Sequence, residues 1–168
     1  CPLHSLAIGG EGPRDDSLFA MERVELQHIY AKNMVFDAPL ANVSFHNTME
    51  SDSLRIPGTT AVKAAHISVR PLSLSGISFS SVNFTATAGV DISNVIACTR
   101  GDLYVESDSE GTYTSRRHSI IVQNASLTAV GGGIFMQQSA RLEMEIHAPS
   151  TFAATGHIEI NIPTQILG

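Results

Sequence analysis

The sequence predicts an all-β protein, with a β-solenoid (a parallel β-helix) favoured over an antiparallel β-sandwich or jelly roll. Three observations support this fold class. Apolar and polar residues alternate with a period of two in many short runs, single Gly, Asn, Ser or Asp residues separate the runs, and helical periodicity is almost absent. The 168 residues suffice for one domain or a short series of structural repeats.

Residues 1–22 are predicted to form an irregular leader, because the segment IGGEGPRDDS within it is rich in Gly, Pro and Asp. A short helix over Leu18 to Ile29 is the alternative for its end, since Asp15-Asp16-Ser17 would cap such a helix. A single β-rich, repeat-like domain is predicted over residues 23–168. Its last strand has no polar cap, so we expect the strand to pair with another polypeptide or the chain to continue beyond 168.

Strand-like runs follow one another through this domain with no long loops between many of them. The runs are Val24 to Tyr30, Met34 to Phe36, Ala41 to Phe45, Val62 to Val69, Leu72 to Phe79, Val82 to Thr87, Val90 to Ile96, Leu103 to Glu106, His118 to Gln123, Ala125 to Val130, Ile134 to Gln137, Leu142 to His147 and His157 to Ile162. Such runs suit either stacked coils or a sandwich.

Three N-glycosylation sequons begin at Asn42, Asn83 and Asn124, so the two intervals between them are equal. The interval is close to two solenoid coils of about 20–25 residues each, which predicts a repeat. In a eukaryotic secreted chain these asparagines would be exposed glycan acceptors decorating one face. In a bacterial chain they would only be corner residues.

The two cysteines leave three interpretations open. Cys1 and Cys98 would form the one intramolecular disulfide that two cysteines allow in an oxidising compartment. Cys98, within VIACT, would equally serve as a small buried apolar residue. Cys1 would carry a lipid if the chain were a processed bacterial lipoprotein.

Two segments resemble right-handed parallel β-helix surface proteins: LSLSGISFSSVNFTAT from Leu72 and SIIVQNASLTAVGGGIF from Ser119. The Gly131-Gly132-Gly133-Ile134 motif (GGGI) is also similar to the Gly-Gly-X-aliphatic motif of polymorphic outer-membrane adhesin repeats. The partner motif of those repeats, Phe-X-X-Asn, is absent, because Phe79 and Asn83 are one residue too far apart. The resemblance implies short parallel strands, aliphatic residues facing inward and Asn or Ser at the corners.

Composition excludes several classes of function. Ten Lys and Arg against sixteen Asp and Glu give a net charge of −6, which would repel nucleic acid, and there is no 18-residue apolar stretch to span a membrane. The seven histidines show no i, i+4 metal-ligand spacing, so we predict no metal site, and no cofactor motif occurs.

Two charged clusters are candidate ligand sites, although a solvated loop is the favoured interpretation of the first and the spacing of the second matches no EF-hand loop. Arg116 and Arg117 would hold a carboxylate-bearing polysaccharide, and Asp102, Glu106 and Asp108 would offer oxygen ligands to Ca²⁺.

The sequence therefore predicts a non-catalytic extracellular structural or adhesive module of a larger surface protein or filament. We expect no catalytic residues and assembly by strand addition through Ile158, Ile160 and Ile162. The expected partners are neighbouring copies or other surface proteins, and glycans are a further expectation. The alternative is a carbohydrate-active β-helix enzyme, a polysaccharide lyase or hydrolase, with Asp91 and Asp102 as default candidates.

Overall fold

A computed structural model describes residues 3–9, 18–22, 29–46, 56–70, 76–107, 118–138 and 143–168. These residues form strands, turns and bends and contain no helix, so none of them forms a helix that could span a membrane. The strands are β1 (Leu3–Gly9), β2 (Leu18–Glu22), β3 (Ala31–His46), β4 (Thr59–Arg70), β5 (Ile77–Phe79), β6 (Ser81–Ile92), β7 (Val95–Cys98), β8 (Leu103–Ser107), β9 (His118–Gln123), β10 (Ser126–Ala129), β11 (Ile134–Gln138), β12 (Glu143–His147), β13 (Thr151–Ala154), β14 (Ile158–Asn161) and β15 (Thr164–Leu167).

The strands stack in parallel on three faces of a β-solenoid, which confirms the favoured fold and excludes the antiparallel sandwich. Face 1 stacks β1, the first halves of β3, β4 and β6, then β8, β11 and β14. Face 2 stacks β2, the second halves of β3, β4 and β6, then β9, β12 and β15. Face 3 is a separate sheet of β5, β7, β10 and β13.

Four successive coils contribute to all three faces: β5–β6, β7–β9, β10–β12 and β13–β15. In each of these coils the chain runs along face 3, then along face 1 and then along face 2. The corner after face 3 repeats one backbone hydrogen bond from coil to coil, with donor–acceptor distances of 2.8 Å from Thr99 to Phe79, 2.8 Å from Val130 to Cys98 and 3.0 Å from Thr155 to Ala129. Stacking therefore satisfies the backbone at corners as well as in strands.

Alternating residues of each strand face inward and form one continuous core. In β6 the burial pattern alternates over Ser81 to Ala86, and in β8 Leu103 and Val105 are fully buried. One phenylalanine from each face meets at the centre: Phe45, Phe79 and Phe84, with ring centroids 5.7 to 6.0 Å apart. Burying each such side chain contributes about 1.5–3 kcal/mol, which no single coil could obtain alone.

The leader differs from the expectation of an irregular segment. β1 pairs with β3 over Leu3 to Gly9, and β2 pairs with the second half of β3 over Leu18 to Glu22. The alternative helix from Leu18 is wrong for the same reason, because in-register pairing with Asn42 to His46 gives these backbone groups their partners. The rest of that helix, up to residue 28, lies outside the described residues.

Candidate functional site

The terminal coil, made of β13, β14 and β15, is the last described coil in all three stacks. Among the described strands, each of these three pairs on one side only: β13 with β10, β14 with β11 and β15 with β12. Their outer edges therefore present a row of backbone N–H and C=O groups without a strand partner in the described part of the chain. Such an edge is a template for pairing with another polypeptide.

The apolar core is open at the same end. Ile134 is fully buried, whereas Ile158, which stacks on it in register, is 44% exposed. Ile166 stacks on the half-buried Ile146 and is 76% exposed. These side chains occupy inward positions, so their exposure results from the absence of a further coil among the described residues. The open edge and the open core together form the candidate functional site.

The predicted assembly residues occupy different positions in this coil. Ile158 and Ile160 lie in β14, in register with Ile134 and Met136, and Ile160 is half-buried. Ile162 follows β14, is only 7% exposed and belongs to the core rather than to an exposed strand. Ile166, the most exposed large apolar residue of the coil, is not among the residues predicted from the sequence, although it continues the same alternation beyond Pro163.

The three sequons do not lie on one face. Asn42 lies on face 2, Asn83 lies on face 1 and Asn124 lies at the corner between β9 and β10. Asn124 is exposed and has a φ of 50°, in the left-handed region that Asn adopts more readily than most residues. Asn42 and Asn83 are half-buried in the middle of the large sheet, so the expectation of glycans on a single decorated face is wrong.

The equal sequon spacing does not reflect the coil length either. The strand register leads from Asn42 through His66 to Gly89 two coils on, and not to Asn83. It leads from Asn83 through Tyr104 to Phe135, and not to Asn124. The equal intervals therefore do not mark equivalent positions, and the coils themselves differ in length.

Cys98 is a fully buried free thiol at the end of β7. Burial raises its pKa to about 12, because the thiolate would lose its hydration, and the nearby charge of Asp102 acts in the same direction. Cys1 lies outside the described residues, so the disulfide between Cys1 and Cys98 stays a prediction. In the described structure Cys98 fills space in the core, as the interpretation of a small buried apolar residue predicted.

Asp91 and Asp102, the default candidates for catalysis, are not brought together. Asp102 follows the corner between faces 3 and 1, where its Oδ1 accepts a 2.7 Å hydrogen bond from the backbone N–H of Gly133. Asp91 lies on face 2, with its Oδ2 3.2 Å from Nε2 of His66. That histidine nitrogen is buried and makes no well-directed hydrogen bond. The two carboxylates thus have separate partners.

Among the described residues, no group of three or more His, Cys, Asp or Glu side chains could hold a metal ion. Arg116, Arg117 and Asp108 lie outside those residues.

Glu106 belongs to a hydrogen-bond network on face 1, in which its carboxylate accepts a hydrogen bond from the hydroxyl of Tyr104 at 3.3 Å. The Tyr104 hydroxyl in turn accepts one from Nε2 of Gln137. Partial burial and the neighbouring Glu106 charge raise the pKa of Tyr104. The sequence gives no local signal for this network on face 1.

No protein-family model, curated protein or solved structure matches this chain. The geometry of the described residues is therefore the basis for a functional conclusion, and the most distinctive feature of that geometry is the open terminal coil. Its exposed apolar residues occupy inward positions and continue the core, whereas apolar residues of an ordinary solvent-facing surface lie at outward positions.

Proposed function

We propose that the protein is a non-catalytic extracellular structural or adhesive module that assembles end to end, by adding a further coil to its terminal coil. The observation that carries this proposal is the exposure of Ile158 and Ile166 at inward positions of a coil with three unpaired edges in the described chain. Parallel strand addition would satisfy the backbone edge and bury these side chains in one step.

A second copy of the same chain is the occupant that the stacking favours. β1 and β2 lie on faces 1 and 2 at the opposite end, run in the same direction as β14 and β15, and each pairs only with β3 among the described strands. A copy stacked head to tail would therefore continue the contacts that already join β11 to β14 and β12 to β15. Such a junction is heterologous and does not close, so it produces a filament.

An extracellular location is part of the proposal, and the sequons support it. The exposed Asn124 has the most accessible acceptor side chain of the three. We expect intact mass to fall on enzymatic deglycosylation of the protein from a eukaryotic secretory host, and an Asn124→Gln variant to lose the largest part of that shift. An unchanged mass would contradict the glycoprotein part of the proposal.

Self-association tests the assembly itself. The parent chain should show a concentration-dependent rise in sedimentation coefficient, whereas Ile166→Lys should stay monomeric because a desolvated lysine would oppose stacking. Val130→Lys is the matched control, since Val130 is an exposed aliphatic residue (51%) that follows β10, one coil before the terminal coil. A parent chain that stays monomeric up to high concentration, or an Ile166→Lys variant that assembles normally, would refute end-to-end assembly.

A further inference from the structure

A shallow groove crosses the outer surface of face 1. It has a volume of about 320 Å³. We call it the face 1 groove and define it by six of its lining residues: Val35, Ala61, Lys63, Asn83, Thr85 and Glu106. They come from β3, β4, β6 and β8, four neighbouring strands of the stack. Three inter-strand steps of about 4.8 Å give the groove a length of about 14 Å along the solenoid axis.

Two chemically different rows run side by side along this axis. The strand register aligns Val35, Ala61, Asn83, Tyr104 and Phe135 in one row, which is mainly apolar and aromatic. The next outward positions, two residues further along each strand, form a polar row: Asp37, Lys63, Thr85, Glu106 and Gln137. A ligand lying along the groove would meet an apolar surface on one side and hydrogen-bonding groups on the other.

The polar groups are held in place before any ligand binds. The hydroxyl of Thr85 donates to Oδ1 of Asn83 at 3.2 Å, and the hydroxyl of Tyr104 donates to Glu106 while accepting from Gln137. Side chains fixed in this way lose less rotamer entropy when a ligand binds. The row thus presents ordered donors and acceptors one coil apart.

The chemistry of the groove suits a neutral, polyhydroxylated ligand better than a charged one. Lys63 lies between the acidic Asp37 and Glu106 in the polar row, so neither charge sign dominates strongly enough to favour an ionic polymer. A peptide adding as a β-strand is disfavoured, because β4 and β6 pair with strands on both sides and offer no free edge here. Hydroxyl groups both donate and accept hydrogen bonds, which suits the mixed row of Lys63, Thr85 and Glu106.

We propose that the face 1 groove binds a neutral oligosaccharide, which lies along the solenoid axis with its apolar ring face over Val35 and Ala61 and its hydroxyls against Lys63, Thr85 and Glu106. This gives the proposed adhesive role a ligand class. It does not depend on end-to-end assembly, because the groove lies on a side of the solenoid and not at its end.

The test uses the full chain and four probes: cellohexaose, chitohexaose, laminarihexaose and, as an anionic comparison, hexagalacturonate. Binding is measured by ligand-observed nuclear magnetic resonance and by titration calorimetry. We expect at least one neutral probe to bind and to bind more tightly than hexagalacturonate. Absence of binding by all three neutral probes, or tighter binding of the anionic one, would overturn the proposal whatever the state of assembly.

Two variants locate the site. Ala61→Tyr fills the groove and should weaken binding by at least about tenfold, whereas Ala97→Tyr adds the same side chain at a half-buried outward alanine of face 3 and should change nothing. Tyr104→Phe keeps the ring but removes the hydroxyl that joins Glu106 to Gln137, and should weaken binding several-fold. Equal effects of the two alanine variants, or full binding by both Ala61→Tyr and Tyr104→Phe, would place the ligand elsewhere and overturn the assignment.

Discussion

The carboxylate of Asp102 accepts a 2.7 Å hydrogen bond from the backbone N–H of Gly133, which lies one coil further along the solenoid. The backbone carbonyl of Asp102 meanwhile accepts from the N–H of Val82, at 3.0 Å, and from the hydroxyl of Ser81, also at 3.0 Å. Asp102 therefore joins the corners of three successive coils. This structural role explains an acidic residue at a position that the enzyme alternative assigns to catalysis.

Replacing Asp102 by alanine should lower the free energy of unfolding by about 1 kcal/mol, because the Gly133 N–H loses its acceptor while the site stays partly open to water. Asp102→Asn keeps an acceptor oxygen and should lose clearly less. Urea denaturation followed by circular dichroism measures both changes. If the two variants were equally destabilised, the hydrogen bond to Gly133 would not be the cause.

The glycine run at the same corner should tolerate no side chain at its centre. A Cβ on Gly132 would collide with the backbone of Gly101 and lie 2.5 Å from Oδ1 of Asp102, so the stacked corners would have to separate. We expect Gly132→Ala to cost roughly 1–3 kcal/mol of stability, in the range of overpacked sites.

Gly168→Ala is the matched control for this corner, since a Cβ there would meet nothing within 4 Å. The melting temperature of the control should equal that of the parent, and that of Gly132→Ala should fall. Parent-like stability in both variants would show that the corners do not approach each other this closely.

The buried thiol of Cys98 predicts a specific loss of stability in alkali. Its pKa is raised to about 12 in the folded protein from 9.0, so its stabilising contribution is fully present below pH 9 and is lost as the pH rises toward 12. Each pH unit in that window should cost the parent up to about 1.4 kcal/mol relative to Cys98→Ala.

Denaturation curves of the parent and Cys98→Ala at pH 7.5, 9 and 10.5, without reductant, measure this difference. The stability advantage of the parent should be constant up to pH 9 and then shrink by up to about 2 kcal/mol by pH 10.5. An advantage that does not change with pH would contradict a free thiol in the core and would favour the disulfide with Cys1.

The solenoid was predictable because most of its strands have strong local signals. The runs at Val62, Val82, Leu103 and Ile134 all lie within strands, since each alternates between an inward, buried apolar residue and an outward, more exposed one. The corners of Gly, Asn and Ser are short, and they contain too few residues for the helices that connect parallel strands in α/β folds. These features are properties of neighbouring residues, which a sequence displays directly.

The missed strands have weaker local signals. β13 reads Thr-Phe-Ala-Ala, and alanine has a low preference for strands, so its pairing with β10 supplies what its composition lacks. β1 and β2 flank a segment rich in Gly, Pro and Asp, and both are specified by register against β3 rather than by their own composition.

The candidate sites depend on register between distant residues, which a single sequence does not display. Tyr104 meets Gln137 because β8 and β11 are stacked, although the chain between them is longer than the chain that joins the neighbouring pairs on face 1. The groove therefore cannot be predicted without knowing the register of the stacked strands. The open terminal coil was partly predictable, because the alternation from Ile158 is local, but the burial of Ile162 depends on a turn after β14.

The central claim, that the first coil of one copy continues the terminal coil of another, makes a prediction about register. Continuing face 1 by one coil pairs Glu159 with Ala7 of the next copy, since both positions belong to the register row that contains Val35 and Phe135. Introducing Ala7→Cys and Glu159→Cys into a chain that carries Cys1→Ser and Cys98→Ala places the only two thiols at this junction.

Non-reducing electrophoresis after mild oxidation is the most direct measurement of that junction. Head-to-tail stacking predicts a ladder of dimers, trimers and longer species for Ala7→Cys with Glu159→Cys, and little cross-linking when Ile8→Cys replaces Ala7→Cys, because a shift of one residue takes the introduced cysteine out of register with position 159. The absence of a ladder, or equal cross-linking in the two variants, would contradict head-to-tail stacking.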